Sequence, residues 1–201
     1  VNRNPSDYLQ RLHARFDNQT YTTSEYQTST KIGPKKNRVI WEEKYEVDRI
    51  FIASMVASVE PIWHKTFIRD TYSAIRGRGI HDGVRRMKKF LSDKENVQYC
   101  LKIDINKFYP SIEHSVMQKI IAMKIKCKNT LQLLHEIISS GSGLPIGNYL
   151  SQYFGNLILT PLDHWAKEIL GVKYYSRYCD DIVILGRKKE WLHDVRKQIS
   201  E

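Results

Sequence analysis

Two aspartates side by side, Asp180 and Asp181, separate two short strand-like runs, Lys173 to Tyr178 and Ile182 to Leu185. Runs of that length divided by so few residues predict a hairpin with the acids at its turn. This feature constrains the fold most, because adjacent carboxylates at a tight turn repel each other unless a cation or open water separates them. The tetrapeptide Tyr178-Cys179-Asp180-Asp181 is also compatible with an ordinary solvated turn, since acids are common in turns. A second acid in a suitable place separates the two readings.

Asp104 is that acid. It lies near the end of Val97 to Ile105, which reads as a central strand delivering a carboxylate at its C-terminal end. A strand-end acid together with a hairpin pair is what two-metal phosphoryl transfer requires: one ion lowers the pKa of an attacking 3′-hydroxyl while the other neutralises the triphosphate and the leaving pyrophosphate. Carboxylate oxygens suit two Mg²⁺ ions, with Mn²⁺ as a substitute.

The charge agrees with a polyanionic substrate. Lys and Arg total 32 against 22 Asp and Glu, a formal net charge of +10, which favours nucleic acid as a partner but by itself leaves non-specific basicity equally open. With 201 residues, 41% of them hydrophobic, the chain can bury one sizeable core or two small ones. Cys100, Cys127 and Cys179 form no C-x-x-C pair and read as reduced thiols of a cytosolic protein. No apolar run approaches the roughly 20 residues of a membrane span, and Val1 to Arg15 lacks a signal pattern, so neither export nor membrane insertion is expected.

Periodicity predicts the remaining elements. A short amphipathic helix is expected over Pro5 to Phe16, a mobile polar loop over Asp17 to Thr30, and a strand at Arg38 to Trp41. Tyr45 to Phe67 reads as a buried helix or helix pair broken near Pro61. A basic loop, Ser73 to His81, precedes a helix over Asp82 to Leu91 with Val84, Met87 and Leu91 inward. Helices follow near Ser111 to Lys126 and Thr130 to Ser139. Another runs from Leu150 towards Leu170 with Gly171 as its C-terminal cap, and a last one spans Glu190 to Ile199.

Three blocks, in order and spacing, resemble consecutive motifs of reverse transcriptases: Leu101-Lys-Ile-Asp-Ile-Asn-Lys-Phe-Tyr-Pro110, Gly143-Leu-Pro-Ile-Gly-Asn-Tyr-Leu-Ser-Gln152 and Tyr178-Cys-Asp-Asp181. Upstream, Asp48-Arg-Ile to Val59-Glu-Pro-Ile62, Phe67-Ile-Arg-Asp-Thr-Tyr-Ser73 and Gly77-Arg-Gly-Ile-His81 look like the fingers blocks of bacterial retroelement polymerases, so the likeness spans roughly Lys35 to Leu185. The resemblance implies an α+β right-hand polymerase fold. Residues 1–96 would be the helical, basic fingers and 97–201 the catalytic palm, with fingers elements interleaved near 110–145 and the thumb absent from these residues. It also implies RNA-directed synthesis of cDNA from template RNA, primer and dNTPs in the cytoplasm of a bacterium or under phage coding. Where the family commonly has Gln-Gly and Ser-Pro, this chain has Ile146-Gly147 and Ser151-Gln152, a variant similar to that of diversity-generating retroelements, for which a small basic accessory protein is an expected partner.

The same resemblance assigns roles. Asp104 and Asp180 would bridge both ions, with Asp181 a third ligand and the Ile105 carbonyl a fourth oxygen. Tyr109 matches the ring that excludes a 2′-hydroxyl from the incoming nucleotide; Phe108 beside it reads as palm core. Arg38, with Lys35 and Lys36, resembles the fingers strand that grips the triphosphate, although such a cluster taken alone is more often a solvated loop. Ile146 and Gly147 would face the nascent base pair. Arg76, Arg78 and Gln152 would contact template, while Ser151 serves equally as a helix cap. His64, His81 and the tryptophans read as structural. Two rival functions stay open on the same residues: an untemplated or phage-defence polymerase, and a non-catalytic RNA-binding scaffold.

Overall fold

The computed structural model describes residues 10, 13–15, 17–18, 20–33, 38–42, 48–141 and 143–200, with Arg38 described by its backbone alone. Most of the helix expected over Pro5 to Phe16 lies outside the described residues, as do Lys35 and Lys36. In chain order the elements are β1 (Gln27–Lys31), β2 (Arg38–Glu42), α1 (Ile50–His64), β3 (Thr71–Tyr72), α2 (Ile80–Leu91), β4 (Tyr99–Ile103), α3 (Phe108–Ser111), α4 (His114–Lys124), α5 (Lys128–Ser139), α6 (Tyr149–His164), β5 (Tyr174–Tyr178), β6 (Asp181–Gly186) and α7 (Lys189–Ser200). A π-helical turn, Trp165–Ile169, extends α6. This is the expected α+β composition. The chain divides into two compact units, each assembled from two stretches: 1–63 with 109–151, and 64–108 with 152–201.

In the first unit β1 and β2 form an antiparallel ladder from Gln27↔Glu42 to Lys31↔Arg38. The polar stretch expected to be loop therefore contains a strand. All five β1 residues are exposed, so no buried face imposed an apolar alternation that the sequence could reveal. Helix α1 buries Phe51, Ile52, Met55, Val56, Val59 and Trp63, while Ile50 and Ile62 are exposed, so its buried surface is one stripe. Pro61 lies inside α1 without breaking it; only its own lost N–H bond is sacrificed, within the last turn. The helix expected near Ser111 to Lys126 is α4, and a short helix not expected, α3, precedes it across Ile112 and Glu113. Asp48, fully buried, accepts a hydrogen bond from the Tyr21 hydroxyl at 2.8 Å.

The second unit holds a four-stranded sheet in the order β3-β5-β6-β4, with β3 parallel to β5 and the other neighbours antiparallel. Strand β4 was expected to be central and lies at the edge, and its exposed Tyr99, Cys100 and Lys102 fit that position. One face of the sheet packs Tyr175, Ile182 and Ile184 into a core with Ala166, Val172, Leu192 and Val195, joined by partly buried Leu101 and Ile103. Helix α2 packs on the other face through Phe90, which meets Tyr174 and Leu185.

Of the three expected inward residues of α2 only Met87 packs inward, against Phe90, Tyr174 and Leu185. Phe90 is buried, whereas Val84 and Leu91 are 46% and 51% exposed. Two contacts fix that rotation: a Cβ on Gly83 would come 3.3 Å from the Tyr72 ring, and Arg86 Nε donates to buried Asp70 at 2.8 Å. An ion pair, invisible to apolar periodicity, selects the helix face. The end of α6 follows expectation, with Gly171 at φ +65° and the Val172 N–H returning to the Ala166 carbonyl at 2.9 Å.

Candidate active site

Alternation along β4 and β6 decides which face the acids occupy. Leu101, Ile103, Ile182 and Ile184 turn into the core, so Lys102 and Asp181 stand on the opposite face, where Lys102 Nζ lies 2.9 Å from Asp181 Oδ1. Asp104, exposed, follows β4 directly. The Lys102 ammonium is held above its ordinary pKa by its hydrogen bond to Asp181, then by the charge of Asp181, with Asp104 adding to both. Asp181 thus holds one cation supplied by the chain, on which Asp104 acts only weakly.

The turn itself is short. Tyr178 pairs with Asp181, leaving Cys179 and Asp180 as a two-residue loop, and Cys179 takes φ +56°. A positive φ at the first loop position suits the right-handed twist of a hairpin but is a conformation usually left to glycine. Cys179 is restrained there: its carbonyl accepts a bond from Arg177 Nη1 at 2.9 Å.

Arg177 is fully buried on the helix-covered face. It forks onto Asp163, Nε to Oδ1 at 2.8 Å and Nη2 to Oδ2 at 2.6 Å, and donates to the Asn156 side-chain oxygen at 3.0 Å and the Asn156 carbonyl at 3.3 Å. Asp163 also accepts the hydroxyls of Tyr175 at 2.6 Å and Thr71 at 2.9 Å. Burial alone would lower the Arg177 pKa, but the Asp163 bonds and charge raise it, so the guanidinium keeps its charge beneath the acidic turn.

The other expected site residues divide between the units. In the second unit Arg76 is exposed, whereas Arg78 is half-buried and donates to the Ile68 carbonyl at 2.7 Å. Gln152 is exposed in the first turn of α6, and Ile105 is half-buried just after Asp104. In the first unit Tyr109 is half-buried and its carbonyl accepts the Leu144 N–H at 2.9 Å. The Ile146 carbonyl accepts the Trp41 N–H at 2.7 Å. Gly147, at φ +122°, approaches β2 so closely that a Cβ would sit 2.5 Å from the Trp41 carbonyl oxygen. Arg38 opens β2, and Lys36 lies outside the described residues. Helix α6 is capped by Asn148, whose Oδ1 accepts the Leu150 N–H at 2.8 Å, so Ser151 is not its cap. Among the described residues no three His, Cys, Asp or Glu side chains converge tightly enough to hold a metal.

The sequence profile described as reverse transcriptase (RNA-dependent DNA polymerase) matches residues 31–201. The chain belongs to the reverse transcriptase family. Protein YkfC of Escherichia coli strain K12 is 24% identical over 134 residues, covering 60% of this chain and 35% of YkfC. The COX1/OXI3 intron 2 protein of Saccharomyces cerevisiae is 25% identical over 135 residues, covering 60% of this chain and 15% of that protein. The fold is similar to that of apo telomerase from Candida tropicalis, with TM-score 0.66 at 12% identity over 97% of this chain and 46% of the telomerase. Telomerase from Candida albicans, solved with a fragment of telomeric RNA, gives TM-score 0.64 at 10% identity over 92% of this chain and 41% of that one. The chain therefore spans about a third or less of the curated relatives and less than half of these solved structures.

Sequence reasoning missed four residues of this reverse transcriptase chain: Lys102, Asn156, Asp163 and Arg177. Arg177 carried a usable signal. Strict alternation in β5 puts it on the same face as Tyr175, and a strand arginine facing a core predicts a buried acid partner. Lys102 carried none, since an exposed lysine on an edge strand is ordinary.

Proposed function

We propose that this chain is the catalytic part of an RNA-directed DNA polymerase that copies template RNA into cDNA, and that it serves a diversity-generating retroelement. The observation that carries the activity is the pairing of the reverse transcriptase family match with Asp181 bonded to Lys102 on the sheet face that Asp104 directly follows along the chain. The lysine is a stand-in: these carboxylates sit where a positive charge is favoured, and their oxygens fit Mg²⁺ or Mn²⁺. Asp104, Asp180 and Asp181, with the Ile105 carbonyl, would hold two such ions, which when bound supply activation of the primer 3′-hydroxyl and neutralisation of the triphosphate.

The chain's other residues do the positioning. Tyr109 excludes a 2′-hydroxyl, selecting dNTPs. Arg38 and Lys36 hold triphosphate oxygens, and Arg76 and Gln152 contact template, with Arg78 shaping the loop that presents Arg76 through its bond to Ile68. The subgroup reading rests on Ile146-Gly147: the Ile146 carbonyl is committed to β2, so its side chain is what differs at the base pair, and an apolar group there makes one polar contact fewer than the family's glutamine.

Primer extension by the intact protein on an RNA template, with Mg²⁺ and dNTPs and beside Asp180→Ala, tests both levels when the products are sequenced. Templated cDNA lost in Asp180→Ala is expected, with errors clustered at template adenines that Ile146→Gln reduces. Untemplated product would favour the defence-type polymerase, and RNA binding without synthesis the scaffold. An error spectrum untouched by Ile146→Gln removes the argument for the diversity-generating subgroup.

A further inference from the structure

Among the described residues of the second unit, ordinary residues take left-handed backbone at Lys107, φ +48°, and in two further turns. One is the acidic turn at Cys179, φ +56°; the other opens the basic loop at Ser73 and Ala74, φ +80° and +48°. L residues resist this conformation, and it persists where surrounding structure over-determines it. Both turns are bonded to the same buried group. Arg177 Nη1 donates to the Cys179 carbonyl at 2.9 Å, and Asn156 Nδ2 donates to the Ser73 carbonyl at 2.9 Å. Arg177 and Asn156 are themselves joined, Nη1 to Oδ1, at 3.0 Å.

The distribution of donors argues that this network does more than hold the fold. A guanidinium has five N–H groups. Two go to Asp163 and neutralise the charge. The remaining three go to Asn156, twice, and to the turn carbonyl. A buried ion pair is a weak source of stability, and well-packed apolar residues of similar volume often replace one without loss. A lysine would neutralise Asp163 equally well but has no planar fork with which to reach Asn156 and Cys179 together.

We infer that Arg177 is a positioning residue for the Asp180–Asp181 turn and that Asn156 couples it to the Ser73–His81 loop, so that the acids and the loop carrying Arg76 are set from one buried point on α6. This rests on the catalytic reading of the acids proposed above. The network touches neither substrate nor metal; it fixes the carbonyl that precedes Asp180, and displacements of about 1 Å at such a centre cost on the order of a hundredfold in rate.

The test uses the intact protein, with Arg177→Lys and, separately, Arg177→Met combined with Asp163→Leu, which removes both charges so that neither is left buried alone. Thermal melting reports folding, titration with Mn²⁺ followed by electron paramagnetic resonance reports metal binding without synthesis, and template–primer affinity is measured without metal. Both variants are expected to melt cooperatively and to bind template–primer within about twofold of wild type, while Mn²⁺ binding weakens several-fold and kcat falls by about a hundredfold. Unchanged Mn²⁺ binding and kcat in either folded variant would overturn the positioning role and leave Arg177–Asp163 a structural pair. Asp180→Ala in parallel keeps the two levels apart: full synthesis by that variant defeats the catalytic reading itself, whereas its inactivity beside a fully active Arg177→Lys defeats only the inference.

Discussion

At the scale of single residues, the acids are described as much by what faces them as by their own positions. Lys102 bonds Asp181 at 2.9 Å with both side chains substantially exposed, so water and salt screen the pair and leave it easily displaced. If Asp181 ligates Mg²⁺, the lysine competes for the same oxygen. Lys102→Ala is then expected to lower the half-saturating Mg²⁺ concentration for primer extension by a factor of up to about five, read from a metal titration at fixed dNTP; a rise instead would make Lys102 a contributor to substrate binding. Asp104 and the Asp180–Asp181 pair were legible in the sequence because acids bordering apolar runs are conspicuous. Gly147 was legible only as a glycine in a motif. Its requirement is tertiary, since the atom a Cβ would strike belongs to Trp41 of another strand.

At the scale of elements, the edge position of β4, the extra strand β1 and the rotation of α2 are the departures from expectation. Helix α2 shows how a charge overrides periodicity: its apolar residues permit two neighbouring faces, and the Arg86–Asp70 bond together with the Gly83–Tyr72 contact chooses the one containing Phe90. The choice has a measurable signature. Phe90→Ala should destabilise the protein by about 3–5 kcal/mol, whereas Leu91→Ala, at a half-exposed position, should stay within about 0.5 kcal/mol. Urea denaturation midpoints with a constant m-value compare the two. The strand β1 was illegible for the opposite reason: a strand exposed on both faces writes no hydrophobic code, and its pairing becomes evident only when β2 is seen beside it.

At the scale of the whole molecule, the chain builds each compact unit from two separate stretches and returns twice to complete them. No described helix is long and apolar enough to cross a membrane, and the net charge of +10 suits a polyanionic partner held through its phosphates. RNA affinity should accordingly fall steeply with salt, log K decreasing linearly with log salt concentration. Removal of one phosphate contact by Arg76→Ala should weaken binding similarly for unrelated sequences and reduce the slope by about 0.7–0.9, as measured by filter binding across a salt series. An unchanged slope would remove Arg76 from the template path. The sequence by itself determined the hairpin, its acids, the order of motifs and hence the family, because turn chemistry, strand alternation and motif spacing are local along the chain. Only the tertiary structure decided which face α2 buries, that β4 forms an edge, that Lys102 stands against Asp181, and that Arg177, Asn156 and Asp163 lock the acidic turn from beneath. Those outcomes depend on charged groups meeting partners distant along the chain, Arg177 with Asp163 and Lys102 with Asp181, and on backbone approach between separate elements, neither of which leaves a periodic trace in sequence.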